Sequence, residues 1–362
     1  MKILVYPLYE NPYQELLYTP LRKEGIKIRY LNKTFFNIPL PLASIFFPLL
    51  CLVYRILGFN IFHLHWQNFV ISSRNNFFKK ISFKQSLLNI KIIKKLGFKL
   101  IWTVHNLVPH EEQTSNDLEI SRTLCKLSDA KIVHSYETLK EMRKHGFNTK
   151  NSFVIPIGNY ISAHPNNSSK KNSLKKLGIK NNNLIFLFFG IIRKYKGVDN
   201  LINSYTKTRF NKKTKLIIAG KCQDGELKKL LDSCRSNPNI IIHDHFIENE
   251  DVQNYLNSAD IIVCPFKKIT TSSTALLSFS FGKPIICPKM GNLTDLPRDA
   301  CIFYNSKDKN GLKKAIIRAT NLDNEKLKDM GKMARLFAEE NSWDKITEKT
   351  FGIYKEVITN GN

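Results

Sequence analysis

Arg193 and Lys196 are the side chains of this sequence most suited to chemistry on an anion. They follow an apolar run, Leu184 to Phe189, that stops at Gly190. They precede Gly197 and a helix-spaced set, Val198, Leu201 and Ile202. The run has the length and the Phe/Ile/Leu content of a buried strand. Cations just beyond the carboxyl end of a parallel strand sit where α/β proteins bind ligands. A planar guanidinium and a nearby ammonium suit a diphosphate. Taken alone, Arg-x-x-Lys-Gly also describes an exposed basic loop. A second anion site is expected where Ser272, Ser273 and Thr274 precede the apolar run Ala275–Phe279. Hydroxyls there mark a capped helix start, and a helix start attracts anions.

His105 follows the strand-like Leu100–Val104 and so also falls at the carboxyl end of a strand. A histidine in that place can orient a hydroxyl or take part in proton transfer, or it can be a satisfied structural residue. His63 and His65 alternate, so both point to one face of a strand, and His243 and His245 repeat the spacing. No third ligand or carboxylate stands at metal spacing, so no metal site is expected. His65 and Trp66 end their strand and are expected near a ligand, with His63 structural. In the loop Pro7–Gln14, the side chains of Asn11, Tyr13 and Gln14 either face a substrate or make an ordinary surface loop.

The elements that must position these residues alternate in type. Strands are expected at 2–7, 26–31, 60–66, 99–105, 130–134 and 152–155. After a polar stretch, Ser162 to Ser173, six more are expected at 184–190, 214–219, 239–244, 260–265, 284–287 and 300–304. Strands separated by helical patterns imply parallel sheets. The fold class expected is therefore α/β, with two doubly wound, Rossmann-like domains facing across a cleft. The chain, at 362 residues, is long enough for two full cores.

An ordered set of short motifs runs along almost the whole chain. It comprises Thr103-Val104-His105-Asn106 with Pro109-His110-Glu111, Ile155 to Tyr160 (IPIGNY), and Gly190-x-x-Arg193-x-Tyr195-Lys196-Gly197. Leu216 to Lys221, Ser258 to Pro265, Phe281 to Ile286 and Ser342-Trp343 follow. The set resembles glycosyltransferases of the GT-B fold, specifically the family 4 group that builds bacterial surface polysaccharides and glycolipids. The resemblance implies residues 1–162 as an acceptor-side domain, with a terminal helix at about 342–359 packing back on it. It implies 163–341 as the domain that binds a sugar nucleotide. Arg193, Lys196 and Gly197 would then hold the donor diphosphate, and Ser272, Ser273 and Thr274 its phosphate and sugar. His105 would lie at the reaction centre, with Glu111 a candidate general base. Asn11, Tyr13, Gln14, His65 and His110 would serve the acceptor. No cofactor beyond the nucleoside-diphosphate sugar is implied. The commoner family pattern has two glutamates seven residues apart. Here Leu277 stands where the second belongs, and no acid occurs from Ile261 to Gly291. Retaining or inverting stereochemistry therefore stays open. The alternatives are a sugar-nucleotide epimerase or phosphorylase of the same fold, or a basic nucleic-acid binder.

The net charge is +26, which calls for an anionic partner. No helix-turn-helix, zinc-finger or RNP-type signature is present, so nucleic acid is not the expected one. From Gly25 through His110 there are 12 Lys/Arg and no Asp or Glu. This region holds an uncharged stretch, Thr34 to Tyr54, interrupted by three prolines, and a helical pattern from Phe77 to Gly97. On that helix Lys80, Lys84, Lys91 and Lys95 fall within roughly a 60° arc. Phe78, Ile81, Ile92 and Leu96 occupy the neighbouring arc. The pair of segments is read as a contact with an anionic membrane at its inner face, reached from the cytoplasm. The seven cysteines are scattered without a C-x-x-C pair, as buried thiols in a reducing compartment would be.

Overall fold

The computed structural model describes residues 1–9, 11–31, 40–67, 75–109, 112–180 and 183–359. It divides into two compact units, Met1–Ile157 with Trp343–Asn362, and Gly158–Ser342. The passage falls earlier than the expected 162/163 because the residues after it are tied to the second unit. Asn159 donates from its backbone to Asn341 O at 2.9 Å and from its side chain to Ala338 O at 2.8 Å. The Tyr160 amide donates to Ser280 Oγ at 2.8 Å.

The first unit is a six-stranded parallel sheet: β1 (Lys2–Tyr6), β2 (Lys27–Tyr30), β3 (Ile61–Leu64), β4 (Lys99–Val104), β5 (Ala130–Val133) and β6 (Ser152–Val154). Their order is β2-β1-β3-β4-β5-β6. The order reverses between β1 and β3, so the loops after these two strands flank the switch point where doubly wound sheets bind ligands. The helices between the strands are α1 (Pro12–Lys23), α2 (Leu40–Ile56), α3 (Asn76–Lys95), α4 (Asp117–Leu127) and α5 (Tyr136–Lys144).

Two helices form the segments read as a membrane contact. The proline-broken segment is, from Leu40 on, one continuous helix with Pro48 inside it; residues 34–39 of that segment lie outside the described residues. Phe47, Leu50, Cys51 and Tyr54 recur at helical spacing and enter the core. The opposite side of α2 is also apolar and faces solvent, with Ile56 76% exposed. On α3 the residues that face inward are Ser82, Ser86, Asn89, Ile90 and Ile93. Phe78 and Ile81, from the apolar arc, are exposed alongside Lys80, Lys84, Lys91 and Lys95. Ile90 and Ile93 join the core cluster of the unit. No helix among the described residues is long and apolar enough to cross a membrane.

The second unit repeats the plan with β7 (Leu184–Phe189), β8 (Thr214–Ala219), β9 (Ile240–His243), β10 (Ile261–Val263), β11 (Ile285–Pro288) and β12 (Cys301–Tyr304). All pairs are parallel, in the order β12-β11-β10-β7-β8-β9. The switch point lies between β7 and β10. Helices α6 (Lys170–Lys176), α7 (Val198–Thr206), α8 (Gly225–Cys234), α9 (Val252–Ser258), α10 (Ser273–Ser280), α11 (Gly311–Thr320) and α12 (Asn324–Glu340) complete it. α13 (Trp343–Thr359) returns to the first unit, where Thr347 Oγ1 donates to Leu17 O at 3.0 Å. Each of the twelve expected strands is present within a residue or two, and the α/β fold with two doubly wound sheets is as read. The seven cysteines are free, five of them buried.

Candidate functional site

In the second unit, β7 ends at Gly190 with φ 113°, which turns the chain out of the sheet. Ile192 forms a bridge to Cys222, so the loop runs beside the end of β8 before Lys194–Lys196 make one 3-10 turn. Gly197 then opens α7 at φ 72°, where a Cβ would lie 2.0 Å from Pro265 O. Only glycine lets the loop after β7 lie this close to the loop after β10. Lys267 N donates to Tyr195 O at 2.8 Å and joins the two loops. The switch point is thus flanked by residues 190–197 on one side and 265–273 on the other.

Arg193 donates from Nε to Gln223 Oε1 at 2.8 Å, which ties the guanidinium to the loop after β8. The Lys196 ammonium lies over Gly190, where an added Cβ would come 3.3 Å from Nζ. Burial, with Arg193 nearby, lowers its pKa to about 8, against an opposing pull from the Cys264 thiol. Among the described residues no carboxylate pairs with Lys196. The neighbouring Lys194 is paired with Glu226 at 2.6 Å, and Lys267 with Asp199.

The helix start at Ser272 differs from an ordinary cap. Ser272 is the N-cap of α10 but its hydroxyl makes no capping bond. Ser272 Oγ and Thr271 Oγ1 are buried without any hydrogen-bond partner. Asn292 holds the backbone here, accepting from Ser272 N and donating to Thr270 O, each at 2.9 Å. The first-turn amides of α10 therefore stay open beside two unsatisfied hydroxyls. A buried unmet hydroxyl costs about 1–3 kcal/mol. An anion with several acceptor oxygens would offset that cost. Ser273 is exposed and hydrogen-bonded to Tyr160, and Thr274 lies on the first turn.

In the first unit the carboxyl ends of β3, β4 and β5 bring His65, His105 and His134 together. Trp66 stacks on His105, with ring centroids 4.3 Å apart and planes within 9°. Tyr13, from the first turn of α1, meets His105 edge-on at 4.9 Å and Trp343 at 5.2 Å. His134 lies 5.0 Å from His105. Its Nδ1 contacts Ile155 O at 2.9 Å, so Nδ1 carries the hydrogen and Nε2 is a bare acceptor. That Nε2 is buried without a partner. Burial pushes the His134 pKa down to about 4 and that of His63 to about 3. It also lowers His65 and His105 well below the usual range, so all four rings are neutral at pH 7.

Two expected acceptor contacts, Gln14 and His65, are corrected by this geometry, while Asn11 stays exposed. Asn11 Oδ1 accepts from Tyr13 N at 3.0 Å and caps α1. Gln14 is fully buried, donating to Pro7 O at 2.8 Å and accepting from Tyr9 N at 3.0 Å, so its amide is consumed in shaping the loop. His65 is also fully buried, with Nε2 on Tyr18 OH at 2.7 Å and Nδ1 on His105 Nε2 at 3.3 Å. It stands behind His105 rather than facing a ligand. His110 and Glu111 lie outside the described residues. His134 and Asn292 are additions. His134 follows β5 as His105 follows β4, and the same positional rule finds it. Asn292 reaches the helix start from twenty residues away and has no local signal.

Residues 169–337 match the family model described as Glycosyl transferases group 1. The chain is similar to a GDP-mannose:glycolipid 4-beta-D-mannosyltransferase of Xanthomonas campestris pv. campestris. The two are 22% identical over 236 residues, covering 64% of this chain and 61% of that protein. The match to an uncharacterised glycosyltransferase of Methanocaldococcus jannaschii is of the same order, 22% over 249 residues. The aligned part spans 61% of the length of these curated relatives. Among solved structures, sucrose-phosphate synthase from Thermosynechococcus elongatus aligns with a TM-score of 0.80 at 16% identity, covering 99% of each chain. Anabaena HepE in complex with UDP aligns with a TM-score of 0.76 at 15% identity, covering 98% of this chain and 100% of that one. The fold is that of these GT-B neighbours, as the motifs imply.

Proposed function

From this likeness we propose that the protein is a glycosyltransferase, moving a sugar from a nucleoside-diphosphate sugar to a saccharide or lipid-linked acceptor. One observation carries the reading. At the switch point of the second sheet, a lysine without an acid partner and two unsatisfied hydroxyls accompany an open helix start. Lys196, Arg193 and the 271–274 segment are read as the donor-diphosphate site. There they stabilise negative charge as the nucleoside diphosphate departs. His105 and Tyr13 are read as facing the acceptor. No metal or other cofactor enters the reading; His63, one of the paired histidines, has both ring nitrogens engaged by protein hydroxyls.

The test is a thermal-shift panel of UDP, GDP, ADP and their common sugar conjugates. A ligand at 100 times its dissociation constant stabilises by about 2.7 kcal/mol. A clear rise with one nucleotide series is expected, and no rise with any member would sink the reading. The responding conjugate is then incubated without acceptor. An isomerised sugar in that reaction would favour the epimerase.

The acceptor is read as membrane-bound, because α2 and α3 present an unusual face. Leu49 and Ile56 on α2 are exposed, as are Phe77 and Phe78 on the helix that carries the lysine arc, with Phe77 66% exposed. Apolar and cationic side chains on one exposed arc describe an interfacial helix. Each lysine contributes about 1 kcal/mol near an anionic surface. Replacing Lys80, Lys84, Lys91 and Lys95 by Glu is expected to abolish sedimentation with vesicles containing phosphatidylserine, with nucleotide stabilisation unchanged. Equal sedimentation of the two proteins would remove α3 from the contact.

A further inference from the structure

A second concentration of cations lies at the opposite edge of the second sheet. A cavity of about 590 Å³ is formed where β7, β10 and β11 begin. The six residues of β7, about 20 Å of strand, separate this edge from the Arg193–Lys196 loop. Five lysines line the cavity, Lys170, Lys212, Lys213, Lys283 and Lys328, against one acid, Asp260. That acid is already committed. It pairs with Lys170, and its Oδ2 accepts from Ile185 N at 2.9 Å at the start of β7. Among the described residues no carboxylate pairs with the other four lysines. Elsewhere in the unit, Lys194, Lys267, Lys314 and Lys332 each pair with an acid.

Lys283 is the most enclosed cation of the group. It stands between α10 and β11 and is half-buried. Its Nζ donates to Ala259 O at 2.9 Å and to Asn257 O at 3.3 Å, carbonyls at the end of α9. An ammonium has three N–H groups, so one is left for a ligand. The two carbonyls hold the ammonium without cancelling its charge. Burial lowers its pKa to about 8, with Asp260 opposing and Lys170 adding to the shift. It therefore stays charged at pH 7, against both desolvation and repulsion, and a bound anion would relieve both. Lys212 Nζ donates to Leu322 O at 3.0 Å, which also leaves its charge uncancelled. Lys213 and Lys328 are exposed, with no side-chain hydrogen bond among the described residues.

We propose that this lysine-lined cavity is a second anion site, for a ligand carrying two or more phosphate groups, separate from the donor site. A single carboxylate would meet one or two of the ammoniums and leave the others repelling one another. Phosphates joined in one ligand reach several, and an ammonium is a point-charge donor suited to phosphate oxygens. A bounded cavity takes a small ligand or a lipid headgroup, whereas a nucleic acid is tracked by a longer basic groove. The proposal does not depend on the donor reading, because the cavity shares no residue with Arg193, Lys196 or the 271–274 segment.

The experiment is titration calorimetry of the full chain with tripolyphosphate. It compares the wild type, Lys196→Met and the double variant Lys213→Gln with Lys328→Gln. Both replaced lysines of the double variant are exposed, so wild-type melting is expected of it. Tripolyphosphate binding is expected to survive in Lys196→Met and to weaken roughly 10-fold or more in the double variant. Lys345→Gln with Lys349→Gln makes the same change of charge on the exposed side of α13 and is expected to leave binding unchanged. Loss of all binding in Lys196→Met would overturn the proposal, by placing the anion at the donor loop alone. Unchanged binding in the Lys213 and Lys328 variant would also overturn it. Equal weakening in the two double variants would do the same, by marking general attraction to a basic protein. Vesicles containing cardiolipin, which carries two phosphates, separate the two sources of the ligand. Sedimentation lost in the Lys213 and Lys328 variant identifies a headgroup; sedimentation kept, with tripolyphosphate binding weakened, identifies a free phosphorylated ligand. A nucleotide panel without any response would remove the donor reading and leave this site to its own test.

Discussion

Lys196→Met is expected to weaken nucleoside-diphosphate binding by roughly 10- to 150-fold, with no loss of thermal stability. The first effect corresponds to the roughly 1.5–3 kcal/mol of a charged hydrogen bond. The second follows from the surroundings of the ammonium. Lys196 has no acid partner among the described residues, and burial lowers its pKa from 10.5 to about 8. The folded protein thus holds this proton less firmly than the unfolded chain. The group's penalty on folding is full below about pH 8 and fades between 8 and 10.5, where the folded lysine is already neutral while the unfolded chain still binds its proton. Methionine removes the penalty and keeps the aliphatic packing. Donor affinity of the wild type should fall as pH rises past about 8, and this fall should vanish in the variant. Titration calorimetry with UDP and GDP at pH 7 and pH 9, beside melting curves, checks both effects. Equal affinity of the two proteins at pH 7 would remove Lys196 from the site. Arg193→Ala is expected to act in the same direction, with an added loosening of the loop after β8 through Gln223.

Gly197→Ala should destabilise the second unit by roughly 2–5 kcal/mol. About 1–2 kcal/mol comes from a side chain in the left-handed region, and about 1–3 from forced repacking. The new Cβ would stand 2.0 Å from Pro265 O, and a backbone carbonyl in a loop braced by the Lys267–Tyr195 bond cannot swing aside cheaply. For a unit of this size the melting temperature should drop by on the order of 5–15 °C. Nucleotide binding should be lost as well, because moving Gly197 moves Lys196. Gly225→Ala provides the comparison. Its Cβ meets nothing within 4 Å and its φ is ordinary, so melting should be unchanged. Wild-type melting in Gly197→Ala would mean that the two loops do not approach each other closely in solution.

Local pattern was enough for the strands and for the donor loop. A buried parallel strand is a short apolar run, and Leu184–Phe189 and Ile261–Val263 carry that signal within themselves. Arg193, Lys196 and Gly197 were legible for the same reason: sequence places them next to the strand end that gives them meaning. The orientation of α3 was not. Periodicity separates an apolar arc from a lysine arc. It does not say that Ser82, Ser86 and Asn89 turn inward while Phe78 and Ile81 turn out, because that depends on the neighbouring elements, α4 and α2 above all, packed against α3.

The roles around His105 depended most on tertiary structure. Sequence put His65 and His105 at strand ends, and both looked ready to meet a ligand. Whether a histidine faces a substrate or supports another depends on what its two nitrogens touch. Those partners come from remote segments: Tyr18 on α1, Thr103 on β4, and Tyr354 from the last helix, 291 residues from His63. Gln14 was misread on the same account, since a polar side chain next to a site is as readily used to shape its loop as to line it. The amino-acid sequence by itself determined the two sheets, the order of their strands along the chain and the cationic loop at the carboxyl end of β7, because those follow from near neighbours. The burial of His65 behind His105, the open start of α10 and the exposed face of α3 were decided only by the tertiary structure, because each depends on hydrogen-bond partners or packing supplied from far along the chain.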